Sequence, residues 1–164
     1  MRTRRVLVAF LPAFAAVVLP ALAAVTVTYS DPDRFTDAGD RSSDPRKIML
    51  ALERHLVQLG ERYLPPKTDL RIEVLDLDRA GRPRMNLPTE VRIVTGRADM
   101  PCIELQYSLT AEGQPAQTRK ERVCDPEYLE RLAPGYDSHD PLVYEKRMLD
   151  RWFRDRFAKG GKAP

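Results

Sequence analysis

Two segments, 102–109 and 117–124, flank the turn sequence Glu-Gly-Gln-Pro at 112–115 and predict a β-hairpin, whose first segment alternates apolar and polar residues. A register symmetric about Gly113 places side chains of matching chemistry opposite one another. The predicted pairs are Cys102 with Cys124, Glu104 with Arg122, Ser108 with Thr118 and Ile103 with Val123. Because the apolar residues then share one face, the hairpin requires a hydrophobic layer packed against that face.

The two cysteines predict a structural disulfide. Directly opposed residues of a hairpin lie close enough for Cys102 and Cys124 to be bridged in an oxidising compartment. The alternative is a redox or metal-binding pair. However, the spacing is not C-x-x-C and neither histidine, His55 or His139, is near either cysteine in sequence. A tetrahedral zinc site would have too few ligands unless carboxylates completed it.

Residues 1–23 have the three parts of a cleavable secretory signal peptide. Three arginines in the first five residues precede an apolar run at 6–19, and Ala-Leu-Ala at 21–23 supplies the small-x-small pattern of a cleavage site. A membrane anchor is the alternative, but the run is shorter than the roughly 20 apolar residues of a spanning helix, and prolines interrupt it. The sequence predicts a periplasmic or secreted protein that begins near Ala24 or Val25.

The apparent basicity of the chain belongs to this signal peptide. The full sequence has 27 basic and 24 acidic side chains, and removal of the three N-terminal arginines leaves 24 of each. A neutral mature chain gives no indication of a nucleic-acid or anionic-membrane partner. The mature part has no second apolar run long enough to span a membrane. We expect one domain over 24–158, burying about two-thirds of its extended surface, and a disordered tail at 159–164.

The pattern of elements predicts an α+β fold. Alternation at 25–29, from Leu70 onward, around Val91 and Ile93, and in the hairpin indicates about five strands of a mainly antiparallel sheet. Asp-Pro sequences at 44–45 and 140–141 are typical of helix starts and predict two main helices, near 44–62 and 141–158. Gly60 and the following prolines predict the end of the first helix. A shift of phase after Val74 predicts a bulge. The predicted order is β-α-β-β-β-β-α.

The C-terminal helix carries one apolar stripe and one charged face. The stripe consists of Leu142, Met148, Leu149, Trp152, Phe153 and Phe157. The remaining positions, which include Glu145, Arg147, Asp150 and Arg154, predict a solvated face. A basic amphipathic helix lying on anionic lipid is the alternative, but acidic residues interrupt the basic face. We therefore expect the stripe, including Trp152, to pack on the sheet.

Three stretches resemble a known family. They are VTVTYSDPDRFTD at 25–37, LDLDRAGRP at 75–83 and DPLVYEKRMLDRWF at 140–153. In order and spacing they are similar to the exported bacterial proteins grouped as domain of unknown function 3016. The resemblance implies a single periplasmic or secreted α+β domain. It brings no established activity, so it implies no catalytic residues.

Asp76 and Asp78 form the most suggestive polar pair. Residues two apart on a strand point the same way, so these carboxylates could hold a hard cation or take part in acid/base chemistry. The alternative is that aspartates at strand ends and turns bond local amides, and we favour it. No cofactor motif and no phosphate-binding glycine loop is present, so no cofactor is predicted.

Two function classes remain open. The first, which we favour, is a non-enzymatic binding or envelope-associated module that recognises a protein or small ligand through its sheet face or loop 31–43. The second is a metal-dependent or carboxylate-based hydrolase that uses the Asp76/Asp78 region. A pocket in which these carboxylates meet another polar side chain would favour the enzyme, and a groove or apolar patch would favour the binding module.

Overall fold

The computed structural model of the protein describes residues 22–39, 43–84, 91–130 and 139–158. The helices and strands of these residues are, in chain order, β1 (Ala24–Tyr29), α1 (Pro45–Tyr63), β2 (Thr68–Asp78), β3 (Arg82–Pro83), β4 (Arg92–Ile93), β5 (Cys102–Ala111), β6 (Gln117–Cys124) and α2 (Val143–Phe157). Single turns of 3-10 helix lie at Pro32–Arg34 and Arg97–Asp99. Apart from residues 22 and 23, the predicted signal peptide falls outside the described residues, as does the predicted tail.

Four strands form one mixed sheet in the order β1-β2-β5-β6, and the predicted α+β class is confirmed. β1 is parallel to β2 because α1 carries the chain back before β2 begins, whereas the other two pairings are antiparallel. The predicted strand around Val91 and Ile93 does not join this sheet. Within the described residues, β4 pairs with β3 in a separate two-residue ladder. The ten-residue β5 takes the place beside β2 because it offers a long apolar face, whereas β4 has only two residues and its Ile93 is 49% exposed.

The predicted hairpin register is confirmed at every pair. Cys102 lies opposite Cys124 and Ile103 opposite Val123. The cysteine Cα atoms are 4.2 Å apart and the sulfurs form the predicted disulfide, with an S–S distance of 2.10 Å. Since these are the two cysteines of the chain, no thiol is free. The disulfide closes the end of the hairpin remote from its turn.

The predicted bulge in β2 lies between Val74 and Asp76. Before the bulge, Val74 faces the helices, and an uninterrupted strand would place Asp76 on that same buried face. The extra residue reverses the phase, so Leu77 is fully buried while Asp76 and Asp78 lie on the opposite face. The bulge therefore keeps both carboxylates out of the hydrophobic core.

Both helices pack on the apolar face of the sheet. Asp44 caps α1, and its carboxylate accepts the N–H of Arg46 at 3.0 Å, with Pro45 at the first helical position as predicted. The core between the two layers includes Leu52, Leu56, Leu59, Leu70, Ile72, Leu105, Met148, Leu149, Trp152 and Phe153. The expected packing of the α2 stripe on the sheet is confirmed. Among the described residues, no helix is long and apolar enough to cross a membrane.

Gly60 does not end α1, which continues to Tyr63. A Cβ atom at Gly60 would lie 2.1 Å from Cγ2 of Val25 in β1. The glycine therefore allows the edge strand to approach the helix closely. The helix instead ends where Leu64 adopts an extended backbone before the two prolines.

Candidate functional site

Asp76 holds the loop that follows β1. Its Oδ1 accepts the backbone N–H of Thr36 at 2.7 Å and that of Leu77 at 2.9 Å, and its Oδ2 accepts the Thr36 hydroxyl at 2.8 Å. Three donors thus occupy this carboxylate. The arrangement is the one expected of an aspartate that bonds local and loop amides.

Asp78 lies beside Asp37, which the loop brings to the end of β2. Asp37 forms a parallel β-bridge with Asp78, and its N–H donates to the carbonyl of Leu77 at 2.7 Å. Burial raises the pKa of Asp78, and the neighbouring carboxylates of Asp37 and Asp76 raise it further, against the opposing effect of two arginines. Within the described ranges, no group of three or more histidine, cysteine or acidic side chains is arranged to hold a metal ion.

Arg92 links Asp37 to the turn that follows β2. Its Nε donates to the carbonyl of Ala80 and its Nη2 to that of Gly81, both at 2.7 Å, and Nη2 also pairs with Asp37. Gly81 has φ +73° and a Cβ there would lie 2.7 Å from the carbonyl of Ile93, so the turn requires glycine. Nothing in the sequence around Arg92 indicates a side chain that is only 11% exposed, so Arg92 was not predicted as a site residue.

Glu145 and Arg79 place charge in the interior near this turn. Each is about 1% exposed, and Glu145 Oε1 accepts the N–H of Ala80 at 2.7 Å. Burial raises the pKa of Glu145, and the positive charges of Arg79 and Arg92 oppose that rise. The predicted solvated face of α2 is therefore wrong at Glu145 and at the buried Arg147. The reason is that α2 also packs against the turn and the segment around Tyr128, contacts that helical periodicity does not reveal.

A second buried network surrounds Asp99. Its carboxylate accepts hydrogen bonds from Thr95, from the N–H of Gly96 and, at 2.6 Å, from the hydroxyl of Tyr128. Arg147 of α2 donates to the carbonyl of Tyr128 at 3.3 Å. Burial alone raises the pKa of Asp99, but these hydrogen bonds outweigh it and hold the pKa below its usual range.

Replacing Asp99 with asparagine is expected to cost about 1–3 kcal/mol of unfolding free energy at neutral pH, because the amide cannot accept every donor. Since the folded-state pKa of Asp99 lies below the unfolded value, its stabilisation is present above the unfolded pKa and is lost as pH falls through the folded pKa. The difference in unfolding free energy between the wild type and Asp99→Asn should therefore become smaller below about pH 4.

Urea denaturation at several pH values measures this difference. Thr95→Val serves as a milder variant, since it removes the hydroxyl donor and leaves the carboxylate in place. A difference for Asp99→Asn that stays constant down to about pH 3 would contradict the assigned hydrogen bonds to an ionised group.

An open groove of about 440 Å³ runs between β6 and α2. Trp152 contributes apolar surface to the groove, and Glu121 of β6 makes polar contacts with two residues of α2. Glu121 accepts the indole N–H of Trp152 at 2.9 Å and pairs with Arg156 at 2.8 Å. Arg122 and Arg151 line the same groove, which we call the β6–α2 groove. It combines an aromatic residue, several cations and the outer strand of the sheet.

The model of the family described as "Protein of unknown function (DUF3016)" matches residues 23–155. The chain belongs to this family. The match begins one residue before β1 and ends within the last turn of α2, so the DUF3016 domain includes the whole sheet and both helices. The resemblance predicted from three stretches is thereby confirmed. A search among curated proteins finds no match.

A second cavity of the DUF3016 domain, about 480 Å³, lies where the loop after β1 meets the start of α1. Phe35, Asp37 and Met49 are among its lining residues. Part of the loop considered as a binding element, residues 40–42, falls outside the described residues. Asp76 and Asp78 do not line this cavity or the β6–α2 groove.

Proposed function

We propose that this DUF3016 protein is an exported, non-enzymatic binding module whose binding surface is the β6–α2 groove. The observation that carries the proposal is the position of the groove along an outer strand of the sheet. There the backbone edge of a strand and the groove beside it are available to one ligand, and strand addition at a sheet edge is a common means of recognition. The partner is a protein or a small ligand of the cell envelope.

Several features support export to the periplasm or beyond. The signal-peptide pattern ends at residue 23, and β1 begins at Ala24. Cleavage at this site would remove Leu22, which is 84% exposed, and Ala23, which is partly buried against the core. A structural disulfide is typical of an oxidising compartment. N-terminal sequencing of the protein from the envelope fraction should find Ala24 or Val25 as the first residue.

A hydrolase that uses Asp76 and Asp78 is the second candidate. It is favoured by one observation, the raised pKa of Asp78 among three acidic side chains, since perturbed carboxylates cluster at active sites. The contacts of Asp76 with Thr36 explain that carboxylate without catalysis. Asp78→Asn should abolish hydrolysis if this candidate holds, and should leave partner capture unchanged if the binding module holds.

In-cell crosslinking tests the binding module. The tagged full chain is expressed with its own signal, crosslinked in intact cells, and its partners are identified by mass spectrometry. We expect Arg122→Glu, at the rim of the groove, to reduce capture of the true partner by about tenfold, as a change of about 1.4 kcal/mol would. Arg71→Glu is the matched control, because Arg71 is an exposed arginine on a central strand away from the groove.

The outcomes separate the candidates. A partner lost with Arg122→Glu and retained with Arg71→Glu supports the groove. A partner retained by both variants and lost when the loop after β1 is altered would overturn the groove as the binding surface. Failure to capture any protein would favour a small ligand or hydrolysis over a protein partner. Asp78→Asn would then be used to test for hydrolysis.

A further inference from the structure

We propose that β6 binds an extended acidic peptide segment, which adds to the sheet as a fifth, antiparallel strand along the β6–α2 groove. The inference rests on the proposed function and names the chemistry of the partner. β6 is an outer strand of the sheet, and among the described residues it pairs with β5 alone. Its other edge offers a row of backbone N–H and C=O groups.

The alternation of hydrogen-bonded and non-hydrogen-bonded pairs between β5 and β6 identifies the residues whose backbone groups face this other edge. In an antiparallel pair, hydrogen-bonded and non-hydrogen-bonded positions alternate, and Cα atoms at non-hydrogen-bonded positions are about 4.5 Å apart. The Cα distance between Cys102 and Cys124 is 4.2 Å, and the N–H of Asp125 donates to the carbonyl of Pro101 at 3.1 Å. Odd-numbered residues of β6 therefore bond to β5. The backbone groups of Thr118, Lys120 and Arg122 point to the free edge.

The charge along this edge selects an acidic occupant. Arg119, Lys120 and Arg122 lie on β6, and Arg151 and Arg156 of α2 line the groove beside them. Lys120 pairs with Glu104 at 2.6 Å, Arg156 with Glu121 at 2.8 Å, and Arg151 with Asp125. Among the described residues, Arg119 and Arg122 form no ion pair within 4 Å, so these two cations are the ones left for an acidic ligand. Glutamate or aspartate opposite Lys120 and Arg122 would form favourable cross-strand pairs. A second copy of β6 would bring like charges together and is disfavoured.

The faces of β6 define the pattern of the bound segment. Lys120 and Arg122 project from the sheet face away from the helices, and Arg122, on this outer strand, also lines the rim of the groove, so acidic residues belong opposite them. Glu121 and Val123 point to the groove side, where Glu121 already bonds to Trp152, so uncharged residues belong there. A strand of eight residues, the length of β6, spans about 26 Å. The partner therefore alternates acidic and apolar residues over about this length.

The other outer strand is a poorer candidate. β1 carries no charged residue, and the cavities described above lie beside β6 and at the start of α1. A strand added to β1 would gain backbone hydrogen bonds without selection by charge. Among the described strands, β6 combines an outer edge, a neighbouring groove and several cations.

The test uses a capped synthetic octapeptide that alternates glutamate and valine, with a lysine–valine octapeptide as the charge control. NMR measures amide hydrogen exchange of the full mature protein with up to about 1 mM peptide. We expect the acidic peptide to slow exchange at Thr118, Lys120 and Arg122 by about tenfold or more. The amides of the odd-numbered residues, which already bond to β5, should change little. The lysine peptide should have no effect at these positions.

Backbone methylation of the peptide provides a sharper control. In the proposed register the glutamate residues lie opposite Lys120 and Arg122, at hydrogen-bonded positions, so the glutamate N–H groups face β6. N-methylation of the glutamate residues should abolish the protection, and N-methylation of the valine residues should leave it intact. Equal effects of the two methylated peptides would overturn strand addition.

Fusing the peptide to the protein compensates for a weak affinity between them. The acidic segment can be joined to the C-terminus through a flexible glycine–serine linker, which raises its effective concentration to about the millimolar range. Absence of edge protection in this fusion would overturn the inference. If the acidic peptide still crosslinks to a photoreactive residue at position 122 without protecting the edge, the groove binds but strand addition is wrong. Edge protection that rises with protein concentration alone would identify a second copy as the occupant.

Discussion

Replacing Trp152 with alanine is expected to lower the free energy of unfolding by about 3–5 kcal/mol. The ring packs edge-on against Tyr107 and Phe157, with centroid distances of 5.8 and 5.4 Å. Its indole N–H also donates to Glu121, so truncation leaves a partly buried carboxylate without that donor. The variant therefore loses apolar burial and a hydrogen bond together. Urea denaturation followed by far-UV circular dichroism measures the loss.

Two variants serve as references for this measurement. Trp152→Phe keeps a ring in the cluster and should cost less than alanine. Leu50→Ala, on α1, removes a side chain that is 44% exposed, and should change stability by about 0.5 kcal/mol or less. An effect of Trp152→Ala as small as that of Leu50→Ala would place the ring outside the core. It would also revive the lipid-binding interpretation of α2.

Removing the disulfide with the double variant Cys102→Ala/Cys124→Ala is expected to cost about 3 kcal/mol, as chain-entropy estimates give for a loop of this length. The two cysteines are 22 positions apart, and the bridge limits the freedom of that loop in the unfolded chain. Thermal unfolding of the two proteins compares their stability. Wild-type protein treated with a reductant should approach the stability of the double variant.

Thiol labelling gives an independent check of the bridge. The protein, purified and denatured without a reductant, should bind no thiol reagent, and should bind two equivalents after reduction, since it has two cysteines. Two reactive thiols before reduction would contradict the disulfide. A hairpin that keeps its register in the double variant would show that cross-strand pairs suffice to define it.

The features predicted correctly depend on neighbouring residues or on a two-residue period. The register around Gly113 follows because one pairing satisfies both faces of the hairpin. The bulge after Val74 is visible because the apolar positions change phase within the segment itself. The capping of α1 by Asp44 needs only the next two residues. Such local and periodic features are readable in one sequence.

The features that were missed depend on contacts between distant segments. Glu145 has a helical neighbourhood typical of an exposed residue, and its burial arises because the turn at Ala80 donates to it across 65 positions. Arg92 likewise acquires its role from carbonyl and carboxylate partners in other segments. The β6–α2 groove arises from the packing of two elements, so neither element alone indicates it.

The parallel edge strand also has a consequence for folding kinetics. β1 lies beside β2, and Thr28 contacts the carbonyl of Ile72, 44 positions away, whereas β5 and β6 are joined by a tight turn. Long-range pairing is slow because loop-closure entropy opposes it, so β1 should join the sheet last. It should also be the first strand to detach in local unfolding. A molecule in that open state exposes β2, and two such molecules could exchange their N-terminal strands.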